Sequence, residues 1–422
     1  MVIIATFIDF DWIMHKKIIK FGMISSHIGD DLGKLVESTM MEWGISSLFT
    51  ITVDNATNND AMLKFMIRRL KNKAHSILGC EFLHVRCAAH ILNLIVTEGL
   101  KELGACVSTI RNAVKFVRSS PARMTKFKSC IELKKITCTK MVCLDVQTRW
   151  NSMYLMLSSA EKYEKAFALL EEDEGKYFVA PSSIEWETAR LFVRFLKSFY
   201  DATLKFSSSK NVTSNSYFIQ LCIIQNTLND GICSDNPILS SVSFDMKTKY
   251  DKYWETAERI NLLLYVAFVL NPRYKMKGLV FWLKRCNDVD WAKFIYESVD
   301  ALLNRLWDQY NLFHGEDGLS NSDVGMQSSI PTFSNVDDED LEDQDVQYLK
   351  LFSQHQEETD SECKSEVERY LSDRCEAATQ DFNILLWWKV NAPKYPILAE
   401  VARDVLAIPI STVASESAFS TG

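Results

Sequence analysis

Helix-breaking residues are scarce in this sequence, with 14 Gly and 8 Pro among 422 residues. That scarcity argues against a loop-rich β scaffold and for long helices. Long apolar runs are missing too. The most apolar stretch, Ile260 to Leu270, is about half the ~20 residues needed to cross a bilayer, so a membrane-resident chain is excluded. Positive charge is not in excess, since 55 acidic residues oppose 47 basic ones for a net −8. Contact with nucleic acid would therefore have to come from a local patch. The 11 cysteines are odd in number and lack framework spacing, and no signal peptide is visible. Reduced thiols and an intracellular home are the expectation. No internal repeat is visible, which excludes a solenoid. What is present is an ordinary globular balance, 47% apolar, 24% charged and 11% aromatic, at a length that suggests roughly two to four domains.

The first hundred residues alternate between strand and helix signals. Val2–Asp9 and Trp12–Met23 read as two strands of a hairpin turned at Asp9–Trp12. Ile28–Trp43 has helical apolar spacing and stops at Gly44, a C-terminal cap. Leu48–Val53 reads as a strand buried on both faces, and Asn58–Lys73 as a helix capped by Asn58 or Asn59. Phe82–Cys87 and Ala88–Leu103 follow as strand and helix. Together they predict one small mixed α/β sheet.

From Gly104 to Phe313 helical periodicity dominates, with amphipathic helices expected over Glu161–Glu172, Ile184–Phe206, Ser216–Leu228, Met246–Ala267 and Asp290–Tyr310. Residues 314–347 turn Ser- and Asn-containing and then acidic, the composition of a solvated linker. Another helical unit begins at Glu366. The expected division is 1–155, 156–313, 314–347 and 348–422.

Several residues could carry chemistry. Asp54 ends a strand inside Thr-Val-Asp-Asn-Ala, where α/β sheets place ligands and a hard divalent cation finds carboxylate oxygen. It could equally turn the chain ahead of Asn58. Cys87 and His90 lie one helical turn apart. With Cys80 and His84 they could suggest zinc, but the spacing fits no standard finger, and a structural pair at the head of an apolar helix is the favoured reading. Between Arg111 and Lys140 lie nine basic residues, Arg118, Arg123, Lys126 and Lys128 among them, against Glu132 alone. Such a patch can neutralise phosphates, and Arg149 and Trp150 follow it, a tryptophan being able to stack on an unpaired base. The alternative is a solvated basic helix beside a core tryptophan. Near the C-terminus Trp387, Trp388, Tyr395, Leu398 and Leu406 belong to an apolar helical unit. It is either core against another domain or a dimer seam.

Read together, Phe7-Ile-Asp-Phe-Asp-Trp12, Trp43-Gly-Ile45, Ile51-Thr-Val-Asp-Asn-Ala-Thr-Asn-Asn-Asp60, Arg86-Cys-Ala-Ala-His90, Asp145–Ser152, Leu270-Asn-Pro-Arg-Tyr274, Lys394-Tyr-Pro396 and Ala402–Ser420 resemble, in order, the hAT superfamily of DNA transposases, the plant sleeper-type proteins above all. The resemblance implies an incomplete RNase H-like core of α/β class, a large all-α insertion and a C-terminal helical dimerisation region. It implies a carboxylate trio holding two Mg²⁺ or Mn²⁺ ions in the ancestral enzyme, with Asp54 as its second member and Glu416 as its third. It makes Cys87/His90 a structural motif, Trp150 a residue beside a flipped base, and Trp387, Trp388, Tyr395, Leu398 and Leu406 dimer residues.

Three departures from the family pattern are expected to matter. Nothing resembles a BED-type zinc finger, the strand carrying the first carboxylate is missing, and the chain stops inside the motif around Glu416. A truncated product is the expectation, with unpaired backbone along Val2–Asp9 and Leu48–Val53. The favoured reading is a nuclear, homodimeric, weakly and non-specifically DNA-binding protein with no functional metal. The alternatives are an active metal-dependent transposase or nuclease, and a decayed product without a role.

Overall fold

A computed structural model describes residues 1–23, 28–73, 76–146, 149–208, 211–254, 261–320, 365–377 and 382–412, with backbone alone over 315–320. The acidic stretch after Ser320 and Glu416 lie outside the described residues, as do 147–148 of the Asp145–Ser152 motif.

Strands β1 (Val2–Ile8) and β2 (Met14–Phe21) pair antiparallel, from Val2 opposite Phe21 to Ile8 opposite Met14, with an irregularity between Ile3 and Ile4. Asp9 builds the turn. Its Oδ1 accepts the Ile13 N–H at 2.8 Å and its carbonyl accepts from Trp12 at 3.0 Å. Trp12 is left-handed at φ +63°, which costs energy for a bulky residue. Its ring is buried and stacks on Trp388, 6.2 Å away and 11° from parallel.

Helix α1 (Gly29–Glu42) ends at Gly44, whose φ of +65° is the backbone freedom a helix stop uses. It packs on α2 (Thr57–Leu70) through Leu32, Val36, Met40, Met62, Leu63 and Met66. The approach is close. A Cβ on Gly29 would stand 2.6 Å from the Asn58 carbonyl oxygen. Between the helices in sequence lies β3 (Ile51–Val53), which pairs in parallel with β4 (His84–Arg86).

Three expectations need correcting here. The strands do not join into one sheet; they form two separate two-stranded ladders, β1–β2 and β3–β4. The strand at Leu48–Val53 is shorter and half-buried, not buried on both faces, because among the described residues one of its edges has no strand beside it. Neither Asn58 nor Asn59 caps α2; the cap position is Ala56, and the Asn59 amide turns back to Asp54.

The rest is helical. It comprises α3 (Ala88–Leu100), α4 (Gly104–Arg118), α5 (Pro121–Leu133), α6 (Trp150–Ala160), α7 (Glu164–Glu174), α8 (Ser183–Phe206), α9 (Tyr217–Ile232), α10 (Pro237–Trp254), α11 (Leu263–Val269), α12 (Lys275–Cys286) and α13 (Val289–Ser320). Three more lie near the C-terminus: α14 (Glu366–Ser372), α15 (Ile384–Asn391) and α16 (Pro396–Ala407). Two boundaries moved. The span expected over Met246–Ala267 is two helices, α10 and α11, and α13 runs ten residues past Tyr310. The capping box of Ser182 and Glu185 opens α8, and Ser120 with Pro121 opens α5.

One large core joins these helices to the C-terminal unit. Helix α11 is buried at every residue, as a helix with no polar face must be. The C-terminal unit is fastened by polar groups as well. Lys275 is buried, and its Nζ donates to the Tyr370, Asp373 and Arg374 carbonyls at 2.7, 3.0 and 3.4 Å, which caps the end of α14. Trp388 Nε1 donates to the Leu270 carbonyl at 3.0 Å, and Tyr310 gives its hydroxyl proton to Asp404 at 2.6 Å.

Candidate carboxylate site and nucleic-acid interface

Asp54 stands one residue beyond β3 and is half-buried. Its Oδ1 accepts the Ala56 N–H at 3.0 Å and the Asn59 side-chain amide at 2.7 Å. That is an Asx turn leading the chain into α2. Among the described residues no group of three or more His, Cys, Asp or Glu comes together that could hold a metal. A divalent ion held by one or two carboxylates plus substrate phosphate would find a single carboxylate oxygen here, Oδ2. The described donors therefore do not make a two-metal set, and no catalytic step is derived from them.

Glu416 lies outside the described residues, but the chain leading toward it is visible. Residues 409–412 return to the β3–β4 ladder across more than three hundred positions. Thr52 Oγ1 donates to the Pro409 carbonyl, and the Ala88 N–H to the Ile410 carbonyl at 2.8 Å. Both the N–H and the hydroxyl of Thr412 reach the Cys87 sulfur at 3.3 Å. Cys87 in turn donates its N–H to the Val53 carbonyl at 2.8 Å, next to Asp54.

This gives the Cys87/His90 motif its geometry. Cys87 is buried ahead of α3 and receives Thr412; His90 is half-buried and the two side chains do not bond to each other. Cys80 and His84 do not join them. The Cys80 sulfur contacts Ser76, while His84 is desolvated beside Arg86, which pushes its imidazole down to about 4 and keeps it neutral near pH 7. The sequence held no sign of the Thr412 contact, because it links positions far apart.

The basic segment forms α4, α5 and the chain after them. Its charges divide into two sets. Arg111 forks onto Asp145 through Nε at 2.9 Å and a terminal nitrogen at 2.7 Å, and the Asp145 side chain is 1% exposed. That carboxylate holds the guanidinium above its usual range. Lys126 pairs with Glu174 at 2.8 Å, and Arg123 lies over the Phe116 ring at 3.9 Å. Arg118 is exposed yet gives one N–H to the Val142 carbonyl at 2.9 Å. By contrast Lys115, Lys128, Lys134, Lys135 and Lys140 are exposed and have no carboxylate partner among the described residues. Arg149, also exposed, heads α6. Trp150 is 6% exposed. Its ring belongs to the core and is not displayed for a base, a correction to the stacking expectation.

The five C-terminal residues expected at a dimer seam also need correcting. Trp388, Tyr395, Leu398 and Leu406 are at most 1% exposed, and Trp387 is half-buried. They pack inside the chain, against Trp12, Tyr370 and the α11–α13 region. The alternative drawn from the same residues, a core against another domain, is what the structure contains. The outward apolar residues of α15 are Leu386, 56% exposed, and Val390, 69% exposed.

Comparison with known proteins matches four stretches of the chain to family models. Residues 1–82 match the ZBED1 RNase-like domain, 85–195 the ZBED1 RNase-like helical domain, 215–310 the hAT-like transposase RNase-H fold, and 366–422 the hAT family C-terminal dimerisation region. The chain is 34% identical over 99% of its length to zinc finger BED domain-containing protein RICESLEEPER 1 of Oryza sativa subsp. japonica, spanning 58% of that protein. It is 31% identical over 98% of its length to a putative AC transposase of Zea mays, spanning 50% of it, and 29% identical over 99% to DAYSLEEPER of Arabidopsis thaliana, spanning 57%. The chain thus spans about half the length of these relatives. The fold is an RNase H-like α/β part joined to an all-α body and a C-terminal dimerisation region, and the chain belongs to the hAT family of transposase-related proteins.

Proposed function

We propose that this protein is a transposase-derived, dimeric DNA-binding protein of the nucleus that does not itself move DNA. One observation carries the reading. Five lysines of one basic segment, Lys115, Lys128, Lys134, Lys135 and Lys140, stand exposed without carboxylate partners, while Arg111 and Lys126 are already paired within the fold. In a chain of net charge −8, unpaired cations concentrated in thirty residues are a local phosphate-binding face. Each lysine that meets a phosphate releases a condensed counterion, so affinity comes from salt release and carries little sequence preference.

The dimer is supported by the match of residues 366–422 to a dimerisation region. Leu386 and Val390, the exposed apolar residues of α15, are the surface on which it would rest.

The test is binding of the full chain to duplex DNA across a salt series. With about six phosphate contacts, affinity should fall by ~10³ between 50 and 200 mM salt. Lys128→Gln and Lys134→Gln should each lower the slope of log K against log salt by about one. A slope unchanged in both variants would remove the basic segment from the interface.

A second reading, metal-dependent DNA cleavage, is favoured by one feature. Residues 409–412 are fastened beside Asp54 through Thr52 and Cys87, four positions ahead of Glu416. Nicking of duplex DNA in Mg²⁺ or Mn²⁺ that disappears in both Asp54→Asn and Glu416→Gln would establish it over the first.

A further inference from the structure

Two cysteines of the helical body meet although more than sixty positions separate them. Cys222 lies on α9, Cys286 is the last residue of α12, and both are free thiols. Helical spacing prepares the face of α9 that receives Cys286. Residues 222, 225 and 226 stand at i, i+3 and i+4, so their side chains emerge on one side of the helix. All three engage Cys286. Gln225 Nε2 donates to the Cys286 carbonyl at 3.0 Å, and the Cys286 thiol reaches Asn226 Oδ1 at 3.9 Å. The thiols of Cys222 and Cys286 hydrogen-bond to each other.

The surroundings fit the two sulfurs for different parts. Cys222 is 2% exposed, on the buried side of α9. The bond to Cys286 and burial hold its thiol well above the usual range, so it stays protonated near pH 7. Cys286 is half-buried at a helix end and is the more accessible of the two. The bond from Cys222, with the Arg285 guanidinium beside it, draws its thiol below that range, the direction that favours a nucleophile. Asn287 continues in extended backbone, so no further helical turn holds the Cys286 side chain in place.

Other described thiols face oxygen. Cys80 meets the Ser76 hydroxyl, Cys106 the Glu185 carbonyl and Cys143 the Ser159 hydroxyl. An oxygen neighbour offers no covalent partner to an oxidised sulfur, whereas a thiol neighbour does.

We infer that Cys222 and Cys286 form a dithiol modification site: a hydroperoxide oxidises Cys286, and Cys222 resolves it into a disulfide that ties α9 to α12. The Cys286 thiolate attacks hydrogen peroxide, the O–O bond breaks, and a sulfenic acid and hydroxide result. The Cys222 sulfur then attacks the Cys286 sulfur, the S–S bond forms, the S–O bond breaks, and water leaves with the Cys222 proton. The hydroxide takes up the proton that Cys286 gave. Two thiols and one peroxide thus become one disulfide and two waters. The inference is independent of the DNA reading.

The test treats the full chain with hydrogen peroxide, then alkylates it and maps its peptides without reductant. Two of the 11 thiols should be lost, both in a Cys222–Cys286 cross-link that a reductant reverses. Cys222→Ala should form no cross-link and leave Cys286 as a sulfenic acid, captured by dimedone about tenfold more than in the unaltered chain. Cys286→Ser should lose the cross-link and show no dimedone at Cys222. If a variant melts early, the map of the unaltered chain decides alone. No loss of thiol overturns the inference. So does cross-linking seen only in denaturant, loss that spreads to the exposed Cys233, or Cys286 carried to sulfinic acid without Cys222.

Discussion

The helical body and the N-terminal α/β part are built from similar amounts of apolar sequence but depend on their neighbours to different degrees. A helix satisfies its own backbone, so α3 to α13, the fully buried α11 excepted, need only bury a stripe each, and they share one large core with the C-terminal unit. A strand satisfies only half of its backbone per neighbour. Among the described residues the α/β part has a small core of its own, nine buried residues around α1 and α2, and two two-stranded ladders. Within one chain, then, the same hydrophobic drive gives a closed structure where hydrogen bonds are local and an open one where they must come from another segment.

The contrast can be broken most strongly in the body. Trp388→Ala removes a fully buried indole that stacks on Trp12 and bonds to Leu270, and should cost about 3–5 kcal/mol in denaturant unfolding. Because Trp12 belongs to the β1–β2 turn, the hairpin should loosen with it, seen as faster exchange of Ile8 and Ile13. Lys275→Met keeps the volume but strands the carbonyls of Tyr370 and Asp373, for a loss of about 2–3 kcal/mol. The α/β part is sharpened by Gly29→Ala, whose methyl group would meet the Asn58 carbonyl and force α1 from α2. About 1–3 kcal/mol is expected, confined to exchange in residues 29–70 if the two parts unfold separately.

Acid should act on the junction of the two parts. His84 titrates near 4 in the folded chain because burial and Arg86 disfavour its cation, against 6.5 when free. The unfolded state therefore binds the extra proton first, so stability is full above pH 6.5 and declines as pH falls toward 4. His84→Gln should flatten that decline in thermal melts taken between those limits. The smallest effect on stability belongs to the surface. Val390→Lys should change unfolding by less than about 0.5 kcal/mol while shifting the chain from dimer to monomer in light scattering at micromolar concentration.

Most helices were legible from apolar spacing. The ends of α1, α8 and α9 fall within a few residues of their expected places because their caps and stripes are local. The hairpin turn at Asp9 was legible for the same reason. The stop at Asn261–Leu262 ahead of α11 was not, and neither was the extension of α13. At the candidate site, the sequence identified the basic segment but not that Arg111 and Lys126 are paired within the fold, for Asp145 and Glu174 lie tens of residues away. It offered core and dimer seam for Trp388 and Tyr395 with equal right, because burial within a chain and burial between chains select the same residue types.

By itself, then, the sequence determined whatever depends on near neighbours along the chain: helix faces, turn chemistry, local charge and family membership. Tertiary structure alone decided which aromatics face inward, which lysines stand exposed without a carboxylate partner among the described residues, and that β1 and β3 stand apart across a cavity. The physical reason is range. Spacing along a chain fixes the direction of a side chain relative to its own helix or strand, but what stands opposite it is set by segments hundreds of residues away, as Thr412 is from Cys87.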